Sequence, residues 1–221
     1  MLAAMTTRPE DQVPPGPRAQ ASARNAEDLA LLAAWQAGDA RAGDGLVRYY
    51  TPHVVRFFAD KVADFEVDDL VQQTWEALLH ARDRFVAADE PAGAGEPGER
   101  IAASFRAYLY GTARFVLFAF FRRRTRAAAF DPEISALEDL APSPSRQASA
   151  HAKLVRLSAA LRKLPIDLQI LLELRYAQEM TSAEIAAIYG IPRGTAKSRL
   201  RLAKQRLDAQ LARMGLAPAP E

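Results

Sequence analysis

The stretch from Thr181 to Leu207 reads TSAEIAAIYGIPRGTAKSRLRLAKQRL, and its reading decides the fold. Thr181 followed by Glu184 has the spacing of a capping box, in which side chain and backbone exchange hydrogen bonds to open a helix. The short helix that follows carries Ile185, Ala186 and Ile188 on its apolar face, and Gly190 ends it. Ile191-Pro192 then begins a turn into a second helix. There Ala196, Leu200, Ala203 and Leu207 recur at steps of four, three and four, a single inward stripe. Lys197, Arg201 and Lys204 fall on the outer face, with Arg193, Thr195, Ser198 and Arg199 gathered toward its N-terminal end. Two short helices joined by a tight turn, the second basic and hydroxyl-bearing at its start, predict a helix-turn-helix. The chemistry suits a polyanion. Hydroxyls and helix-end amides hold phosphates, while arginine reads guanine edges in the major groove. An ordinary basic surface helix would show the charge but not the turn.

The charge around this motif is unevenly spread. The 221-residue chain has a formal net charge of +2, yet residues 150–213 hold 12 basic and 5 acidic side chains, a net of +7. Residues 27–126 hold 13 basic and 15 acidic, a net of −2, and residues 131–149 hold 1 and 4, a net of −3. GC-rich coding accounts for 24 arginines against 5 lysines, but not for positive charge collecting in one third of the chain. That gradient points to nucleic acid. The chain has no cysteine, which excludes disulfides, thiolate nucleophiles and cysteine-ligated zinc. His53, His80 and His151 have no metal-ligand spacing, and no nucleophile-base pair or glycine-rich phosphate loop occurs. The expectation is a protein that is not an enzyme, with no catalytic residues, no metal and no cofactor. No apolar run approaches the ~18 residues of a membrane-spanning helix. Glu10, Asp11 and four prolines stand where a signal peptide has its apolar core, so a cytoplasmic location is expected.

The 45 alanines favour helix over strand, and no segment sustains the alternation of a half-buried strand. The expected fold is therefore all-α, two helical domains joined by a flexible linker. Residues 1–26 read as a disordered tail, 27–130 as the first domain and 131–149 as an acidic linker carrying Pro132, Pro142 and Pro144. Residues 150–214 form the second domain, and 215–221 a short tail. In the first domain Leu29, Leu32, Ala33 and Gln36 mark a helix ended by Gly38, with Asp39 placed to cap the next. Pro52 reads as the first turn of a further helix. Asp68–Arg84 is amphipathic, with Leu70, Val71, Trp75, Leu78 and Leu79 on its apolar side; Trp35 and Trp75 are assigned to the core. Asp69, Gln72 and Gln73 point away from that side and are open to a partner.

Ala87–Glu99, with two prolines and three glycines, is a loop, and Ser104–Arg126 is a long helix without proline. On that helix Phe105, Leu109, Thr112, Val116 and Phe120 form the expected core stripe. Tyr110, Arg114, Phe118 and Phe121 fall on the opposite side, a surface suited to stacking unpaired bases at ~1–3 kcal/mol each. Arg122, Arg123 and Arg124 are placed to track phosphates.

These motifs carry a family resemblance. The segment running through ALRKLP, LLELRY and EIAAIYGIPRGTAKSRL resembles region 4 of bacterial RNA polymerase sigma factors, and GTAKSRL is similar to the recognition helix of their extracytoplasmic-function (ECF) subgroup. Ala37-Gly38-Asp39 with Tyr50-Thr51-Pro52 resembles region 2.1, and VDDLVQQTW from Val67 to Trp75 is similar to region 2.2. SFRAYLY from Ser104 to Tyr110, with the later Arg122-Arg123-Arg124, is similar to regions 2.3 and 2.4.

The resemblance implies binding to the RNA polymerase core, with Asp69, Gln72 and Gln73 meeting the β′ coiled coil and the second domain meeting the β flap. It implies that Arg193, Thr195, Lys197, Ser198, Arg199, Arg201 and Lys204 read the −35 promoter element. Tyr110, Arg114, Phe118, Phe121, Arg122, Arg123 and Arg124 would then engage and melt the −10 element. An anti-sigma factor is a further partner of such proteins. Several residues depart from the pattern: Gly43 replaces a core aromatic, Gln73 a glutamate, and Phe115 and Ala119 an Asn and an Asp. The loop before Ser104 is also longer and more acidic. Two other readings stay open: a two-domain helix-turn-helix regulator, and a sigma-like interaction protein unable to melt promoters.

Overall fold

The structure, a computed structural model, describes residues 17–84, 86–87, 101–102, 104–125, 130–140 and 152–215. Four helices make the N-terminal half: α1 (Pro17–Gln36), α2 (Ala40–Ala59), α3 (Asp64–Ala81) and α4 (Phe105–Arg124). The C-terminal half holds α5 (Leu137–Leu140), α6 (Ala152–Arg162), α7 (Ile166–Leu172), α8 (Ser182–Tyr189) and α9 (Arg193–Arg213). After Leu172 the helix widens into a π-helical turn, Glu173–Ala177. The fold is all-α; the one strand pairing among the described residues is a two-residue parallel bridge of Val86-Ala87 with Ile101-Ala102. The expected loop between those bridge residues, 88–100, lies outside the described residues, as do 1–16 and 141–151.

Local chemistry sets the helix ends as the spacing predicts. Asp39 accepts from the Arg41 amide at 2.9 Å, and Ser104 from the Ala107 amide at 3.1 Å, so each caps a helix N-terminus. Three elements start differently from expectation, among them α3, which begins at Asp64 rather than Asp68. Helix α1 begins at Pro17 rather than near residue 27, so ten residues assigned to a disordered tail are helical. The cause is visible at Arg24, which pairs with buried Asp28 at 2.8 Å and lies 3.6 Å from the Tyr49 ring centroid. Tyr50 donates to the same carboxylate. Pro52 does not begin a helix either. It sits inside α2, where Thr51 and His53 bond the neighbouring carbonyls of Val47 and Tyr49 at 2.7 and 3.1 Å.

One core runs through both halves. Leu32, Leu46, Phe57, Phe58, Leu70, Leu78, Phe105, Leu109 and Leu117 join Ile166, Ile170, Leu174 and Ile185 in a single apolar cluster. Leu164, Leu172 and Ala203 form a satellite beneath α9. Trp35 and Trp75 are buried in the main cluster as expected. Gly43 has a structural reason: a Cβ there would come within 2.4 Å of the Trp35 indole. Trp35 thus fills the space that an aromatic at position 43 would take.

The stretch read as a linker is partly core. Within it Leu137 is fully buried, just after Phe130, which packs on Phe118 and Phe121 at centroid distances of 5.6 and 5.7 Å. Ala136 bridges Pro165, while Ile166 and Asp167 donate their amides to Ser135 and Pro132 carbonyls at 3.0 and 3.1 Å. The first ten residues of the stretch are therefore stitched to the start of α7.

Candidate nucleic-acid interface

The helix-turn-helix forms as its residues dictate. Thr181 Oγ1 accepts the Glu184 amide at 3.2 Å, and Glu184 returns the bond to the Thr181 amide at 2.9 Å. Gly190 closes α8 in the left-handed region at φ 61°, where a Cβ would be strained. Pro192 then opens α9, whose first amides face outward with the positive end of the helix dipole. Ala196 and Ala203 are buried, and Leu200 and Leu207 half-buried, so the predicted inward stripe is the packed one. Arg193, Thr195, Lys197, Ser198 and Arg201 are exposed, while Arg199 and Lys204 are half-buried. Arg199 differs from the rest: its Nη2 reaches Glu133 Oε1 at 2.8 Å and its Nη1 lies 3.7 Å from Asp167 Oδ2.

On α3 Asp69 and Gln72 are exposed and Gln73 is half-buried. Gln73 donates to Asp69 at 2.6 Å and accepts from Arg123 at 3.4 Å, so this face continues into the arginine run of α4. Arg124 pairs with Glu66 at 2.6 Å, and Arg122, Arg123 and Arg124 are all exposed.

The expected aromatic surface of α4 needs correction. Tyr110, Phe118 and Phe121 are 1%, 5% and 0% exposed, although the helical wheel places them away from the core stripe. The reason is tertiary. Helix α4 is covered by α1, α2 and α3 on one side and by α8 on another, with Phe130 over its C-terminal half. Tyr110 Oη donates to Gln178 Oε1 at 2.5 Å, and burial with the charge of Glu173 holds its phenol above the usual range. The aromatic ring that α4 does expose is Phe115, at 56% exposure.

A seam of polar contacts joins the halves, and no spacing in the sequence announced it. Ser104 Oγ donates to Glu184 Oε1 at 3.0 Å, and Arg106 donates to the Gln178 carbonyl. Lys61, 1% exposed, donates to the Phe57 carbonyl at 2.5 Å and pairs with Glu173. Burial raises the Glu173 carboxyl, and the Lys61 ammonium opposes that rise. Arg114 donates through Nη2 and Nε to Asp167 Oδ1 at 2.7 and 3.3 Å. Its guanidinium also lies 4.5 Å from the Phe118 centroid and 4.1 Å from that of Tyr189. Asp167, Glu173 and Gln178 belong to no motif of the sequence; only the packing makes them a seam. Among the described residues, no helix is long and apolar enough to cross a membrane.

Residues 154–207 match the model of the family described as Sigma-70, region 4. The chain is 29% identical over 200 residues to the RNA polymerase sigma factor CnrH of Cupriavidus metallidurans, covering 85% of this chain and 96% of that protein. It is 32% identical over 144 residues to the ECF RNA polymerase sigma factor EcfG of Rhodopseudomonas palustris, covering 65% of this chain and 70% of the relative. In fold it is similar to CnrH in complex with the cytosolic domain of CnrY, with a TM-score of 0.57, 23% identity, and 85% and 98% of the two chains covered. The sigma factor RpoE in complex with the anti-sigma factor NepR, from Bartonella quintana, gives a TM-score of 0.52 at 22% identity, covering 76% and 96%.

Proposed function

The chain belongs to the ECF RNA polymerase sigma factors, a family that acts in transcription initiation, and on that premise we propose how its residues divide the work. The observation that carries the reading is α9, whose start presents Arg193, Thr195, Lys197, Ser198 and Arg201 to solvent beside a closed capping box and turn. Inserted in a major groove, this end meets phosphates with amides and hydroxyls and base edges with guanidinium groups. Arg199 and Lys204 flank it, and the whole is the −35 reader. Asp69, Gln72 and Gln73 form the face that docks on the polymerase core. On α4 the exposed Arg122, Arg123 and Arg124 track the −10 backbone, and Phe115 is the aromatic open to an unpaired base.

The domain division follows: residues 27–130 with the α1 extension for polymerase and −10 contacts, and 150–214 for the −35 element. As in the complex of RpoE with NepR, a partner of anti-sigma type is part of the proposal. The burial of Tyr110, Phe118 and Phe121 favours a second reading, a sigma-like protein that binds polymerase without opening DNA.

Run-off transcription on genomic fragments with purified polymerase core separates the two. The sigma reading expects discrete transcripts that require the added chain. Co-purification with core and chain-dependent transcript from pre-melted templates alone would leave only the binder.

A further inference from the structure

Asp167 occupies an unusual position between the two halves. Its side chain is 4% exposed, and its two oxygens face arginines from different helices. Oδ1 accepts both donors of the Arg114 fork at 2.7 and 3.3 Å, and Oδ2 lies 3.7 Å from Arg199. Tyr189 covers the cluster, donating to the Asp167 carbonyl at 3.1 Å while its ring faces the Arg114 guanidinium. Glu133 takes the remaining reach of Arg199 at 2.8 Å. One of these arginines belongs to the helix proposed for the −10 element, the other to the −35 reader.

We propose that Asp167 is an intramolecular stand-in for a promoter phosphate, masking Arg114 and Arg199 together and holding the free chain closed, so that DNA competes with it for both. A carboxylate and a phosphate offer guanidinium groups the same chemistry, an anionic oxygen pair for a forked donor. A buried ion pair seldom adds much net stability, because desolvation offsets the attraction. What this one adds is exclusivity: the Arg114 fork cannot grip DNA while Asp167 Oδ1 holds it, and Asp167 with Glu133 draws Arg199 inward beside it. The other contacts of the seam, Tyr110 with Gln178, Ser104 with Glu184 and Lys61 with Glu173, align α8 and the π-helical turn over α4. They do not occupy side chains of the DNA-reading helix α9. Removing the charge at Asp167 therefore tests the hold on Arg114, while Glu133 keeps its contact with Arg199. The inference rests on the reading of α4 and α9 as DNA-facing, and the test keeps the two apart.

The chain lacks cysteine, so reporters can be placed freely. Spin labels at Glu76→Cys on α3 and Gln205→Cys on α9, both exposed, report the distance between halves in the full chain. Mixed-sequence duplex DNA is the binding probe. Asp167→Asn is expected to populate longer distances at unchanged helical content and to bind duplex about tenfold tighter, the gain for an open form otherwise populated at about one in ten. Asp139→Asn, an equal charge change at an exposed site, is expected to alter neither.

Unchanged distances in Asp167→Asn would overturn the latch while leaving the DNA reading intact. Longer distances without DNA binding would refute the DNA reading and the masking with it. An equal gain from Asp139→Asn would reduce the effect to net charge and overturn the proposal. Should Asp167→Asn fail to fold, Arg114→Lys, which keeps the charge but loses the fork on Asp167 Oδ1, is expected to lengthen the label distances in the same way. Unchanged distances in that variant would overturn the latch.

Discussion

Helices α4 and α9 are of similar length and both arginine-rich, yet they follow opposite rules. On α9 small residues point inward and long cations outward, so one stripe faces the body and the rest faces solvent. On α4 eleven residues are buried around most of the circumference, and the exposed remainder is chiefly Phe115 and the terminal arginines. The difference lies in what covers them. Helix α9 lies at the edge, against α7, α8 and α6, whereas α4 is enclosed by the first three helices, by α8 and by Phe130. An amphipathic wheel describes an edge helix well. It misassigns a central helix, because a second apolar face looks the same whether it awaits a ligand or another part of the chain.

The sharpest way to break this comparison is truncation on α4. Phe118→Ala or Phe121→Ala, at buried positions packed on Phe130, is expected to cost about 3–5 kcal/mol each, with the double variant unfolded at 37 °C. Denaturant unfolding followed by circular dichroism checks this. Variants as stable as wild type would return these rings to the surface and restore them as base-stacking candidates.

The next largest effect comes from the seam. Lys61→Met leaves the half-buried Glu173 without its cation, which is expected to cost up to about 3 kcal/mol near neutral pH. The sign with pH is fixed by the direction of the shift. Burial raises the folded-state Glu173 pKa, so the folded form binds the proton more tightly than the unfolded one. The variant's deficit should therefore shrink as the pH falls through that raised pKa and widen again above it. Thermal unfolding of both proteins across pH measures the trend, and a deficit independent of pH would separate it from Glu173.

Smaller is the effect of Gly43→Ala. Its Cβ would meet the Trp35 indole at 2.4 Å, and repacking of that kind costs about 1–3 kcal/mol. Trp35→Leu in the same chain should recover part of the loss by vacating the space, a coupling read from a double-mutant cycle.

On α9 the stability effect should nearly vanish. Lys197→Ala and Arg201→Ala, both exposed, are expected to change unfolding free energy by less than about 0.5 kcal/mol. Each should instead lower the slope of log affinity against log salt by about 0.9 if it neutralises one phosphate. An unaltered slope would remove that residue from the DNA face.

Sequence alone determined the parts governed by neighbours along the chain. The Thr181-Glu184 box, the Gly190 stop and the cap at Asp39 rest on hydrogen bonds and backbone limits within a few residues, so spacing reveals them. The inward alanines of α9 and the core tryptophans were legible for the same reason, a periodicity with one buried side. Tertiary structure decided what depends on residues far apart in the chain. Arg24 with Tyr49 extends α1, Trp35 explains Gly43, and Phe130 with α8 turns the second face of α4 into core. The lysine at 61 finds its carboxylate 112 residues away, and Asp167 meets arginines 53 and 32 residues distant on opposite sides in sequence. Charge and apolarity along the chain state that such side chains need partners. Only the packed chain, by excluding water from both at once, selects which partners they take.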